Sequence, residues 1–154
     1  ASYLGVLDGD QVVYVDKITA PSASRLYSIK RTRVNAYCSS LGKCILANYS
    51  NSELENIMKD CSFIKFTPNT ISDMEQLRAE LAKVRKQGWA MEDEEYETGQ
   101  RCIGAPVYDY KGDIVAAISA SGEKHVLTDD RINEVADYLV KKAFELSKAL
   151  GYVE

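Results

Sequence analysis

No apolar run in this chain approaches the roughly 20 residues that a helix needs to cross a membrane, so a helical membrane protein is excluded. No charged segment followed by a short apolar core opens it, so no secretory signal is visible and a cytoplasmic location is expected. Positive charge is scarce: 19 Lys and Arg stand against 23 Asp and Glu, a net charge of -4. Surfaces that grip a phosphate backbone need clustered cations. The two local clusters, Lys30-Arg31-Arg33 and Lys83-Arg85-Lys86, read as solvated faces. Histidine occurs once, as His125, and the scattered glycines form no phosphate-binding loop. The four cysteines, Cys38, Cys44, Cys61 and Cys102, lack the C-x-x-C spacing of a zinc ribbon or redox dithiol and are expected as free, mostly buried thiols.

What is present is enough for one domain: 154 residues, 45% hydrophobic, can bury roughly two thirds of the unfolded surface without disulfide or metal. The chain opens on Ala1 and enters strand-like sequence at once, which reads as part of a longer protein. Residues 2–7 and 12–18 are β-rich runs joined by Asp8-Gly9-Asp10, a tight-hairpin signal. Residues 25–29 alternate polar and apolar as a third strand. The period then changes. Ser39 or Ser40 caps a helix over 41–49, Ser50 with Glu53 forms a capping box for a second, and Ser72 with Glu75 repeats it for a third that stops at Gly88. Strands resume at Trp89, 102–108 and 114–121, the last two joined through Lys111-Gly112-Asp113, and Thr128 caps a final amphipathic helix. Hairpins at both ends, rather than alternating βαβ units, predict an α+β fold with an antiparallel sheet of about six strands and helices packed on it.

Two segments carry the functional signal. In AAISASG (116–122), Ala117, Ser119 and Ser121 share one face of a strand and are too small to fill a core. If the preceding strand pairs with it, Cys102, Gly104 and Pro106 point to that side, and Ile103, Ala105 and Val107 face a helix. Either these small groups let a helix approach the sheet, or they line a small, mildly polar cavity. A buried hydroxyl without a partner costs roughly 1–3 kcal/mol, which favours a ligand there. The second segment, 88–109, crowds Glu92, Asp93, Glu94, Glu95 and Glu97 into one turn. Most read as solvent-facing. Glu92 ends a strand beside the cavity and is placed to accept bonds from ligand hydroxyls. A Cys102–His125 pair, or a metal held by His125, Cys102 and Glu92, requires the fold to bring distant residues together, and no metal or cofactor is expected.

In residues 88–109 the spacing is Gly88, three residues, Glu92, two residues, Glu95, six residues, Cys102-Ile103-Gly104, two residues, then Val107-Tyr108-Asp109. With CSSLGKCILA at 38–47 and the serine strand, these motifs resemble, in order, the effector-binding domain of the IclR family of bacterial transcription regulators. The family usually has Asp or Ser where this chain has Glu92. The resemblance implies a GAF-like fold over 1–154 that binds a small organic acid, a 2-keto acid or sugar acid. By the same resemblance Ser119, Ser121, Cys102 and Glu92, with backbone groups at Ser40 and Leu41, contact the ligand, and amides at a helix N-terminus favour its carboxylate. Residues 25–28, RLYS, resemble members that answer to sugar acids, and Arg25 is either a partner for the carboxylate or an exposed cation. The resemblance also implies a dimer or tetramer, and DNA binding through an N-terminal winged helix-turn-helix that lies outside this chain.

Two other readings stand beside it. GAF-like domains include a free methionine sulfoxide reductase, in which case Cys102 is the nucleophile and Cys38 or Cys44 the resolving thiol. Or the domain serves only to oligomerise, its hollow filled by side chains.

Overall fold

The structure, a computed structural model, describes residues 1–18 and 33–154. The expected strand at 25–29, with Arg25, Lys30 and Arg31, lies outside the described residues.

Six strands form one sheet: β1 (Ser2–Asp8), β2 (Gln11–Ile18), β3 (Arg33–Asn35), β4 (Ala90–Asp93), β5 (Gln100–Tyr108) and β6 (Ile114–Glu123). Their order across the sheet is β3-β2-β1-β6-β5-β4, and every neighbouring pair is antiparallel. The α+β expectation therefore holds. The β1–β2 and β5–β6 hairpins lie where their Asp-Gly and Lys-Gly-Asp turns predict. The joint between them, Ser2 against Ala120 and Tyr3 against Ser119, closes the first strand onto the last. That joint decides which residues share a face, because side chains alternate along each strand.

Four α-helices accompany the sheet among the described residues: α1 (Ser40–Leu46), α2 (Asn51–Met58), α3 (Met74–Gln87) and α4 (Ile132–Ala149). Ser39 caps α1, accepting from the Gly42 amide, and Ser50 with Glu53 completes the expected capping box on α2. The third cap is displaced by one residue: Asp73, not Ser72, accepts from the Gln76 amide. A carboxylate is the stronger acceptor at the positive end of a helix, and the Ser72 amide and hydroxyl donate instead to Gln76 Oε1. Gly88 ends α3 at φ 85°. Thr128 does not cap the last helix, since a 3-10 turn over Asp129–Arg131 intervenes and its hydroxyl bonds Asp130.

The sheet has two unlike faces. Ile103, Ala105, Val107 and Ala116 pack against Ala136, Leu139 and Ala143 of α4 in a mainly apolar layer, in which the buried Ser147 hydroxyl accepts the Tyr108 amide. On the other face α1 lies across β5, β6 and β1, and Val12, Leu41, Ile45, Leu77, Leu81 and Ala117 make the larger core. The approach of α1 needs a missing side chain: a Cβ on Gly104 would sit 2.8 Å from the Ser40 carbonyl oxygen. The small residues of β5 thus do let a helix approach, and in doing so they bring its first turn over the strand face that carries Cys102 and Ser119.

Candidate functional site

Between the start of α1 and this face lies a cavity of ≈ 40 Å³. Ser40 and Leu41 enter from α1, Glu92 from β4, Cys102 from β5, and Ser119 and Ser121 from β6, so all six expected residues line one cavity. The register makes this necessary: Cys102 pairs with both Glu92 and Ser121, and Gly104 pairs with Ser119. Tyr3, Tyr14 and Tyr96 also line it, as does Arg101. These tyrosines had no signal in the sequence, since Tyr3 reaches the site only through the long-range β1–β6 pairing. Their rings are ordered by stacking, Tyr3 on Tyr14 with centroids 4.7 Å apart and Tyr96 on Phe66 at 4.8 Å.

The Cys102 sulfur sits at the centre of the polar groups. Ser40 Oγ donates to it at 3.0 Å. Burial above all, then the charge of Glu92, pushes its thiol up to about 11, against the pull of the Ser40 and Ser119 hydroxyls. At neutral pH it is a protonated wall residue and a poor nucleophile. Ser121 Oγ donates to the Ala1 carbonyl at 3.3 Å. Ser119 differs: it is 1% exposed, and its Oγ makes no hydrogen bond of good geometry and has only the weakly accepting Cys102 sulfur to lean on.

The acidic turn is not solvated as expected. Glu92 and Glu95 are both buried, at 7% and 6% exposure. Glu92 Oε2 accepts the Glu95 amide at 3.0 Å, and the Glu95 carboxylate accepts the Asp93 amide at 2.9 Å. Asp93 pairs with Arg101 at 2.9 Å and Glu94 with Lys124 at 3.0 Å. Lys124 chiefly holds the Glu94 carboxyl below its usual range, whereas burial pushes that of Glu95 up. Sequence reading missed Glu95 and its partner Lys43 because charged side chains are so rarely buried. His125 pairs with Glu123 at 3.1 Å on an exposed loop and does not line the cavity, so it meets neither Cys102 nor Glu92. No cluster of three metal-ligating side chains occurs among the described residues, and none of their helices is long and apolar enough to cross a membrane.

The family model "Bacterial transcriptional regulator IclR C-terminal" matches residues 1–148. The HTH-type transcriptional regulator XynR of Escherichia coli K12 is 33% identical over 151 residues, covering 98% of this chain and 60% of the relative. The crystal structure of the Thermotoga maritima IclR superposes with a TM-score of 0.89 at 37% identity, over 98% of this chain and 61% of that one. The inducer-binding domain of the PobR transcription factor from Acinetobacter, a double mutant in complex with 3-hydroxybenzoic acid, gives a TM-score of 0.85 at 25% identity, over 95% and 86% of the two chains. The chain thus spans about 60% of the length of XynR and of the Thermotoga protein. These relatives are regulators, not enzymes, in keeping with the inert Cys102. The chain belongs to the IclR family of bacterial transcriptional regulators, as its C-terminal, effector-binding domain.

Proposed function

We propose that the cavity binds a small organic acid, a 2-keto acid or a sugar acid, as the effector of a longer transcription regulator. The observation that carries this is the Ser119 hydroxyl: buried, with no partner but the weakly accepting Cys102 sulfur, and lining the cavity with Ser40, Leu41, Glu92, Cys102 and Ser121. An unmade hydrogen bond there costs roughly 1–3 kcal/mol, and a ligand oxygen supplies the missing partner. The complex of the PobR inducer-binding domain with 3-hydroxybenzoic acid supports a small organic acid as the class of ligand. Glu92, one methylene longer than the family's usual Asp, reaches further over Cys102 and suits a compact ligand that brings hydroxyl donors. In the full-length protein, which we expect to be a dimer or tetramer, the effector shifts the arrangement of subunits. DNA binding by a winged helix-turn-helix outside this chain follows, because differential affinity for two states moves their equilibrium.

Thermal unfolding against glyoxylate, pyruvate, other 2-keto acids, sugar acids and 3-hydroxybenzoate tests it. A ligand at a hundredfold its dissociation constant adds about 2.7 kcal/mol of stability. No shift across the panel would leave the domain an oligomerisation module.

A further inference from the structure

Lys43 is 1% exposed, yet it is absent from the cavity wall. Its ammonium donates to the Met91 carbonyl at 2.8 Å and to Glu95 Oε2 at 2.8 Å, and it lies 3.3 Å from Glu80 Oε1 on α3. Three donors meet three acceptors, so the charge is saturated. Taking an ammonium out of water is costly, and an apolar side chain of similar volume would fill the same space without that cost. The placement of the acceptors gives the reason for a charge. Met91 is the strand neighbour of Glu92, and the Glu95 amide donates to Glu92 Oε2 at 3.0 Å. Lys43 itself lies on α1, three residues after Ser40. One ammonium therefore ties the two polar walls of the cavity, α1 and the acidic turn, to each other.

We propose that Lys43 is a positioning residue: through Glu95 and the backbone of 91–95 it sets where the Glu92 carboxylate points, and so how well the pocket takes a hydroxyl-bearing acid. This rests on the cavity being an effector site. Lys43→Met alone leaves Glu95 buried without its cation and endangers the fold, so the informative variant is Lys43→Met with Glu95→Gln, which removes both charges. Glu95→Gln alone, which keeps the ammonium on Met91 and Glu80, is the fallback if the pair does not fold.

Three quantities are read in the 154-residue chain: thermal stability, hydrogen exchange of the Glu95 amide, and the affinities of D-gluconate and pyruvate. The double variant keeps its unfolding midpoint near that of the parent. Its backbone amide at position 95 exchanges at least about tenfold faster, as expected when one hydrogen bond is lost, and gluconate affinity falls about tenfold while that of pyruvate, which brings no hydroxyl, is nearly kept. Equal losses for both acids, or no loss for either with unchanged amide exchange, would overturn the assignment. If the parent binds neither acid, the effector reading fails for these ligands, and the amide exchange alone decides whether Lys43 holds Glu92. Unchanged exchange then refutes it.

Discussion

Two polar groups are buried on the same face of the sheet and are treated in opposite ways. The Lys43 ammonium, with its full set of acceptors, is closed. The Ser119 hydroxyl is equally buried and has only the Cys102 sulfur to lean on. On the proposed reading the difference separates a charge the fold neutralises from a hydroxyl kept for the effector, with Glu92, held by the Glu95 amide, between them.

Substitutions can break this contrast. The largest effect is expected for Lys43→Met, which strands the Glu95 carboxylate: about 3–5 kcal/mol of stability is lost, measured by urea unfolding. A loss below about 1 kcal/mol would mean that the ion pair is not closed to water. Gly104→Ala comes next, because its Cβ meets the Ser40 backbone at 2.8 Å and neither side can yield easily. About 1–3 kcal/mol of stability should go as α1 is pushed off β5, and ligand binding should go with it.

Ser119→Ala separates the two kinds of polar group most sharply. Removing a hydroxyl that has only a sulfur to lean on leaves stability unchanged or slightly raised, whereas calorimetry on the best ligand of the panel should show affinity weakened by about 1–3 kcal/mol. A variant that is destabilised but binds as before would reverse the assignment. Ser121→Ala should weaken binding in the same range, yet also cost a few tenths of a kcal/mol in stability, because its hydroxyl already has the Ala1 carbonyl as acceptor.

The smallest effect concerns Cys102. Burial pushes its thiol up to about 11, so the reactive thiolate forms only as pH rises towards that value. Alkylation by iodoacetamide, followed at this residue by mass spectrometry, should quicken about tenfold per pH unit from pH 8 to 10. A plateau near pH 9 would indicate an ordinary exposed thiol.

Much of the architecture was legible because its signals are local. The Asp-Gly and Lys-Gly-Asp turns placed two hairpins, capping serines placed two helices, and alternation in AAISASG separated Ser119 and Ser121 from Ile118 and Ala120. The failures are physical too. Ser72 lost its cap to Asp73, a better acceptor one residue on. Thr128 gave way to an intervening turn. Glu95 looked like one acid among several, because nothing near it in sequence announces that Lys43, 52 residues earlier, neutralises it. The six proposed ligand contacts share one cavity wall, and the binding experiments above decide their role.

By itself the sequence determined the hairpins, the starts of the first two helices, the two faces of β5 and β6, and a motif spacing specific enough to name a family. These depend on residues a few positions apart and on the fixed periods of strand and helix. Only the tertiary structure decided that Tyr3 and Tyr14 join the cavity, that Lys43 is buried with Glu95, and that the buried Ser119 hydroxyl has only a sulfur to lean on. Each depends on the β1–β6 joint or on the seating of α1 over Gly104. Burial and hydrogen-bond satisfaction are properties of what surrounds a group in space, and pairings across 50 to 120 residues leave no mark in local pattern.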